Sequence, residues 1–437
     1  MADDESIVAV ATAPGRGGIA IVRISGPAVT SIAEKLLGKV PLPRFADLLS
    51  FRDINGQAID QGLALFFPAP HSFTGEDVLE LHGHGGPVIT DLLVKTIVEL
   101  GARHARPGEF SERAYLNNKM DLAQAEAVAD LIDAGSEAAA RSAYRSLQGV
   151  FSEKVHQLVE ALVKLRMFVE AAIDFPEEEV DFLADDNISQ QAEAITTDLK
   201  KLLKQAQQGQ LLHDGMTLAL VGPPNVGKSS LLNTLTGNES AIVSEIPGTT
   251  RDVIRENINI DGLPVHIMDT AGLRITANTI EREGILRAKD AMLQADRILV
   301  IMDDRSTGDE RKKEIKQALL HLPDHKNVKK GKYALLWNKI DLTGKAPASE
   351  HKQGHEEIYL SAKTGQGIDL LKTYLKQAMH FQEVGEGTFM ARRRHITALE
   401  QALNHVTEGI DQLNKSKAGE LLAEELRLAQ IALSQIT

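Results

Sequence analysis

The sequence predicts a multidomain protein of α/β and all-α parts. An α/β domain over residues 1–119 comes first. A helical domain follows in two pieces, 120–213 and 382–437, with a second α/β domain over 214–381 inserted between them. Three observations carry this reading. Residues 1–119 alternate short strand-like runs with glycine turns. From Asp121 to Phe175 the chain is rich in Ala, Leu, Glu and Gln without a proline, and the same texture returns after residue 382. Between these helical stretches, apolar strand-like runs alternate with helical ones, the pattern of a parallel sheet covered by helices on both faces. A chain of 437 residues agrees with about three domains.

Composition narrows the classes. Hydrophobic residues make up 43%, enough for sizeable cores. No apolar run approaches the ~18 residues of a membrane span. The start, Met1-Ala2-Asp3-Asp4-Glu5, is acidic, unlike the basic front of a signal peptide. Cysteine is absent, which excludes disulfides, thiolate metal sites and a cysteine nucleophile from this sequence and agrees with a cytoplasmic protein. Net charge is −13, and residues 121–214 hold 18 acidic against 8 basic side chains. A broadly basic nucleic-acid surface is not expected, so any RNA contact must come from local basic patches or a partner.

In the first domain, Gly17 to Gly26, Ala64 to Phe67 and Val78 to Leu81 read as strands, and Val88 to Leu100 as a helix with Pro87 in its first turn. Arg23, Glu80 and Lys119 stand out. Charges within strand-like runs usually lie on the wet face; the other reading is a pocket for a polar, anionic small molecule. His82-Gly83-His84-Gly85-Gly86 reads as a turn rather than a metal site, since two histidines have no third ligand nearby.

In the helical pieces, Val155, Leu158, Val159 and Leu162 follow the spacing of an amphipathic helix. Asp174-Phe175-Pro176-Glu177-Glu178-Glu179 breaks the pattern, and helix resumes from near Ser189 to about Gln208. Ile396, Leu399, Leu403 and Val406 form one later stripe; Leu421, Leu422 and Leu426 belong to a second helix. Two helices alone cannot bury much core, so they are expected to pack on the earlier helical piece. Arg392-Arg393-Arg394-His395 is either a solvated helix start or an RNA or partner contact.

The inserted domain carries the chemistry. Leu218 to Val221 leads into Gly222-Pro223-Pro224-Asn225-Val226-Gly227-Lys228-Ser229, and Ser230 to Asn233 opens a helix. This fits G-x-x-x-x-G-K-[ST] in its strand–loop–helix context. Glycines let the backbone wrap a phosphate, and the free N–H groups of the helix start face negative charge. Lys228 would reach the β- and γ-phosphates, and the Ser229 hydroxyl would ligate Mg²⁺. Val265 to Met268 delivers Asp269-Thr270-Ala271-Gly272, suited to Mg²⁺ through an intervening water and to a γ-phosphate at the Gly272 N–H. After another buried strand, Ile298 to Met302, Ala334 to Trp337 delivers Asn338-Lys339-Ile340-Asp341. The Asp341 carboxylate can accept both guanine donors, a pair that adenine lacks. Ile358 to Leu360 delivers Ser361-Ala362-Lys363, which can close over the base. Four such pieces in order resemble the GTP-binding signature of the Ras-like P-loop superfamily.

Two departures from Ras-like enzymes are informative. Leu273 stands where they carry the glutamine that orients the attacking water. Glu281, just downstream, is either a substitute that aligns water or an exposed helix-start carboxylate. Phosphoryl transfer also needs positive charge between the phosphates. The Asn225 side-chain oxygen, with the carbonyls of Ser244 and Ile246, could hold a monovalent cation in place of an arginine finger.

The phosphate loop, with Ile246-Pro247-Gly248-Thr249-Thr250-Arg251-Asp252 and Asp269-Thr270-Ala271-Gly272-Leu273-Arg274, resembles the TrmE-Era-like GTPases. Thr12-Ala13-Pro14-Gly15-Arg16-Gly17-Gly18, Phe73-Thr74-Gly75-Glu76-Asp77, Arg106-Pro107-Gly108-Glu109-Phe110-Ser111 and Ala391 to His395 narrow the resemblance to the MnmE (TrmE) family of tRNA modification GTPases, over essentially the whole chain. The resemblance implies a nucleotide site of Asn225 to Ser230, Ser244-Glu245-Ile246-Pro247-Gly248-Thr249-Thr250, Asp269 to Gly272 (through Thr270 and Ala271), Asn338, Lys339, Asp341, and Ser361-Ala362-Lys363. It implies Mg²⁺ at Ser229 and Thr250, K⁺ at Asn225, Ser244, Ile246 and Thr249, and Glu281 as the catalytic acid. It also implies that Arg23, Glu80 and Lys119 bind 5,10-methylene- or 5-formyl-tetrahydrofolate. By the same resemblance the chain forms a homodimer through its first domain. It joins the FAD- and NADH-using partner MnmG in a heterotetramer and helps add a carboxymethylaminomethyl or aminomethyl group to C5 of the wobble uridine of certain tRNAs.

The family ends in a short tail, roughly Cys-Ile-Gly-Lys, whereas this sequence stops at Gln435-Ile436-Thr437. GTP binding and hydrolysis are expected to survive that departure, which bears on the tRNA modification step. The rival readings are an Era-like ribosome-assembly GTPase, which would append an RNA-binding domain, and a folate-dependent one-carbon enzyme with a regulatory GTPase.

Overall fold

The computed structural model describes residues 5–174, 186–237, 255–269, 292–320, 332–352, 354–381, 385, 387–416 and 418–437. They divide into two compact units, one running through residue 128 and including residue 437, the other spanning residues 129–436.

The first unit is built on a six-stranded sheet of β1 (Ile7–Val10), β2 (Gly17–Ser25), β3 (Asp47–Arg52), β4 (Ala58–Phe67), β5 (Val78–Gly85) and β6 (Arg103–His104). Their order is β3-β4-β5-β2-β1-β6, antiparallel throughout except where β6 joins β1. Along β2 the side chains alternate, with Ala20, Val22 and Ile24 turned inward. Against them pack Ile32 and Leu36 of α1 (Val29–Leu37) and Leu93 and Ile97 of α2 (Pro87–Glu99). Pro87 sits in the first turn of α2, where its missing N–H costs nothing. Helix α3 (Glu109–Leu116) follows.

Residues His82 to Gly85 do not form the turn that their glycines suggest. They continue β5, paired with β2 (Ile21 with His82, Ala20 with Gly83) and β4 (Leu63 with His82); His82 lies beside Glu80 (3.2 Å) and His84 pairs with Asp60 across the sheet (2.7 Å). Both imidazoles thus have a carboxylate partner on the sheet.

Helix α4 (Leu122–Ile132) leads into the second unit, whose helices α5 (Glu137–Leu147), α6 (Val150–Asp174) and α7 (Asp186–Asp214) are followed much later by α12 (Arg393–Ser416) and α13 (Gly419–Leu433). The late pair packs on the early ones: α12 against α7, α13 against α6. The helical domain is therefore discontinuous. On α6, Val155, Leu158 and Leu162 are buried; on α12, Ile396, Leu399 and Val406 are. The stripe of α13 runs through Leu422, Leu426, Ala429 and Leu433, while Leu421 is 48% exposed and lies outside it.

Helix α7 runs six residues past Gln208. At Gly209 the helix is crossed closely by another backbone: a Cβ there would lie 2.1 Å from the Phe389 carbonyl oxygen. The helix stops at Gly215, which adopts a left-handed φ of 66°.

The cluster Arg392 to His395 is neither a plain solvated helix start nor an open basic patch. Arg392 is ion-paired with buried Asp130. Arg394 donates to the carbonyls of Gln435 (2.6 Å) and Ile436 (3.0 Å). His395 is buried against Phe151. Arg393 alone of the four is exposed.

The inserted domain contains β7 (Met216–Val221), α8 (Lys228–Gly237), β8 (Arg255–Ile260), β9 (Leu263–Asp269), β10 (Arg297–Asp303), α9 (Gly308–Leu320), β11 (Tyr333–Asn338), α10 (Ile340–Thr343), β12 (Ala348–Lys352), β13 (His355–Tyr359) and α11 (Ile368–Ala378). The sheet order is β12-β13-β11-β10-β7-β9-β8, parallel in the middle and antiparallel only at the two edge pairs. Strands covered on both faces should read as unbroken apolar runs. Leu218 to Leu220, Ile298 to Met302 and Ala334 to Trp337 do, and all are buried. No helix among the described residues is long and apolar enough to cross a membrane.

Candidate functional site

Because β7, β10, β11 and β13 are parallel, their carboxyl ends share one edge, where the loops that follow them meet. The phosphate loop leaves β7, Asp303 ends β10, Asn338 ends β11, and Ser361 follows β13.

Asn338 joins three of these loops. It is 2% exposed. Its Nδ2 donates to the Val226 carbonyl in the phosphate loop (2.7 Å), and its Oδ1 accepts from the N–H groups of Lys339 (2.8 Å) and Ala362 (2.9 Å). A buried amide with every polar atom engaged is a rigid connector. Gly227 lies against it at φ 100°. The Ser361 hydroxyl donates to Asp341 Oδ1 (2.6 Å), orienting that carboxylate. Thr234 of α8 donates to the Ala362 carbonyl (2.6 Å).

The Lys228 ammonium folds back onto the loop carbonyls of Gly222 (2.7 Å) and Pro223 (2.8 Å). Ser229 and Ser230 are exposed at the start of α8, and Lys363 is exposed beside Ala362. Asn225 sits in the left-handed region at φ 62°. The structure thus brings Asn225 to Ser230, Asn338, Lys339, Asp341 and Ser361 to Lys363 together at one edge. Asp269 ends β9. Ser244 to Thr250, Thr270 to Gly272, Leu273 and Glu281 lie outside the described residues.

Sequence reading missed the acidic pair at the end of β10. Asp303 accepts from the Lys339 ammonium (2.8 Å), and Arg305 followed by Lys339 hold its carboxyl well below the usual carboxylate range. Asp304 is buried, accepting from Thr343 (2.6 Å) and Lys345 (2.7 Å), with Arg311 nearby over the face of Trp337. The available signal was positional: an acidic pair directly follows a buried strand of the same parallel sheet.

A second constellation lies in the first unit. Arg23 on β2 stands opposite Glu80 on β5 and pairs with it at 2.8 Å. The guanidinium lies near two phenyl rings, 5.3 Å from the centroid of Phe73 and 5.7 Å from that of Phe110. Lys119 instead donates to the Pro70 carbonyl (2.9 Å), in the loop that carries Phe73. The two phenylalanines, each inside a motif noted above, were not singled out from sequence.

An ion network links the two segments that carry these rings. Glu76 pairs with Arg113 (3.0 Å), Arg113 with Glu109 (3.2 Å) and Glu109 with Arg103 (2.7 Å). Glu76 also accepts from Ser25 (2.7 Å). Phe73 precedes Glu76 by three residues in the loop before β5, and Phe110 follows Glu109 in the first turn of α3, so the network joins that loop to α3.

Comparison with known proteins adds to this geometry. Residues 6–119 match the family model described as the GTP-binding protein TrmE N-terminus, and residues 122–437 match that of the MnmE helical domain. The tRNA modification GTPase MnmE of Yersinia pseudotuberculosis serotype IB (strain PB1/+) is 56% identical over 439 residues, covering 100% of this chain and 96% of the relative. The protein of the same description from Coxiella burnetii (strain Dugway 5J108-111) is 55% identical over 433 residues, 99% of this chain and 94% of its own. Among solved structures, a GTP-binding protein from Sulfolobus solfataricus in complex with GDP is 16% identical over 63% of this chain and 78% of its own, with a TM-score of 0.29, too low to bear on the site.

Proposed function

Because the chain belongs to the MnmE family of tRNA modification GTPases, we propose that it binds guanine nucleotides at the carboxyl edge of β7, β10, β11 and β13. There it hydrolyses GTP to GDP and phosphate in the service of tRNA modification. The observation that carries this reading is the Asn338 amide, which ties the phosphate loop, the Asn338 to Asp341 loop and the Ser361 to Lys363 loop into one frame. Family membership sets aside the Era-like alternative.

In this reading Asp341, oriented by Ser361, accepts the two guanine donors, and Ala362 and Lys363 cover the base. The N–H groups from Val226 to Ser230 cradle the phosphates, with Lys228 moving from the loop carbonyls to the β- and γ-phosphates. Ser229, an exposed hard oxygen donor at the helix start, suits Mg²⁺; Thr250, with Asp269 at the strand end, completes that side. The bound ion supplies positive charge at the β- and γ-oxygens. Asn225, with Ser244, Ile246 and Thr249, would hold K⁺, whose charge would stand in for an arginine finger. By the family resemblance, Glu245, Pro247, Gly248, Thr270, Ala271 and Gly272 belong to the same nucleotide site, and Glu281 would align the attacking water, a task that Leu273 cannot perform.

The first domain is proposed to bind a one-carbon tetrahydrofolate, either the 5,10-methylene or the 5-formyl form. A guanidinium, a carboxylate and two phenyl rings suit a planar hydrogen-bonding heterocycle, and Lys119 suits its anionic tail. The chain is proposed to act as a homodimer with the FAD-dependent MnmG, modifying C5 of the wobble uridine, in the cytoplasm.

Three experiments test the nucleotide part. Asp341→Asn is expected to shift preference from GTP toward xanthosine triphosphate, because an acceptor pair becomes an acceptor and a donor. The same nucleotide ranking in both proteins would remove Asp341 from base recognition. GTP turnover is expected to be faster in K⁺ than in Na⁺, and Glu281→Ala to retain nucleotide affinity while losing most turnover, about 100-fold for a water-aligning group. Equal rates in the two salts would remove the cation, and retained turnover would remove Glu281.

A further inference from the structure

We infer that Asp303 is a positioning residue for nucleotide binding, acting through Lys339 to hold the phosphate loop in its binding conformation. This rests on the guanine-nucleotide reading above and extends it to a residue outside the sequence motifs.

The Lys339 ammonium bridges two acceptors, Asp303 Oδ2 at 2.8 Å and the Asn225 carbonyl at 2.8 Å. The next carbonyl in the loop, that of Val226, accepts from Asn338 at 2.7 Å. Two successive loop carbonyls are thus turned toward the side chains of 338 and 339. A trans peptide sets the N–H of the following residue opposite its carbonyl. The N–H groups of Val226 and Gly227 therefore point away from those side chains, toward the side of the loop where a phosphate would be cradled.

The arrangement works against backbone preference. Asn225 and Lys339 are both non-glycine residues with left-handed φ, 62° and 70°. Such residues persist where their surroundings over-determine them. Lys339 is the tie between the two, and Asp303 is its charged partner. The carboxylate is itself braced by Arg305, whose Nη2 donates to Oδ2 at 2.7 Å, and its side chain is only 16% exposed. Without Asp303 the ammonium has only a neutral carbonyl to hold it, and the loop peptide is free to turn over.

The test is a double-mutant cycle in the full chain, with GDP and Mg²⁺ as the probe. Asp303→Ala and Lys339→Ala are each expected to weaken GDP binding about tenfold, mainly through faster release, the scale of one charge-assisted hydrogen bond. The double variant is expected to lose no more than Lys339→Ala alone, because both remove the same tie. Asp303→Asn, which keeps the shape, covers the case in which the alanine variant folds poorly, and is expected to show a smaller loss in the same direction. Losses that multiply in the double variant, or an Asp303→Asn protein that binds GDP as the unaltered chain does, would overturn the inference. If the unaltered chain itself failed to bind GDP, the guanine-nucleotide reading would fall and take this one with it.

Discussion

Gly227→Ala is expected to remove most nucleotide affinity. A Cβ at this position would lie 2.3 Å from Asn338 Nδ2, and the residue holds φ at 100°, where an alanine is strained. Asn338 cannot step aside cheaply. Moving Nδ2 gives up the Val226 carbonyl, and swinging the amide also pulls Oδ1 from the N–H groups of Lys339 and Ala362. A buried amide left unsatisfied costs ~1–3 kcal/mol, and the backbone strain adds ~1–2 kcal/mol. Together these correspond to a loss of GDP affinity on the order of 100-fold or more. A GDP titration of the folded variant measures it, and affinity within about threefold of the unaltered chain would show that the loop tolerates displacement of Asn338.

The second large effect lies in the first domain. Glu109 is 2% exposed, and its carboxyl is held down to about 2 from the usual 4.5 by hydrogen bonds from Arg103, then Arg106 N–H and Arg113. A depressed carboxylate stabilises the fold above the unfolded value and ceases to as pH falls through the folded one. This contribution is therefore full above pH 4.5 and disappears toward pH 2. At ~1.36 kcal/mol per pH decade it amounts to ~3 kcal/mol. Glu109→Gln should remove a similar amount at neutral pH, since Arg103 and the buried Arg113 each lose a charged partner. Hydrogen exchange of the β1 and β2 amides in the full chain should then run about 100-fold faster, with the two proteins converging near pH 2. Unchanged exchange at neutral pH would reduce the network to a surface ornament. Because Phe73 and Phe110 hang from the same network, weaker binding of a tetrahydrofolate is expected alongside.

How much of this was legible in the sequence follows from how each feature is encoded. The placement of the loops after β7, β11 and β13 was readable because each motif is contiguous and follows its own apolar strand; Asn338 to Asp341 needs nothing beyond Ala334 to Trp337 to be placed. Asp303 was not readable. Its role depends on β10 lying next to β11, which puts its carboxylate beside Lys339, 36 residues on. Phe73, in a loop, and Phe110, in α3, are remote in sequence and both approach Arg23. The end of α7 was placed six residues early, because the helix continues through Gly209 past a crossing backbone whose approach only the Phe389 carbonyl shows. The basic run from Arg392 misled for a related reason. Its partners, Asp130 and the Gln435 and Ile436 carbonyls, are remote in sequence, and a run of like charge gives no sign that most of it is already engaged.

The central claim is that the loops gathered by Asn338 form a guanine-nucleotide site. Isothermal calorimetry of the purified chain with Mg²⁺ tests it most directly, titrating GDP, a non-cleavable GTP analogue and ADP in turn. The account predicts saturable binding of both guanine nucleotides at one site per chain and none of ADP at the same concentrations; silence with GDP and the analogue, or equal affinity for ADP, would contradict it.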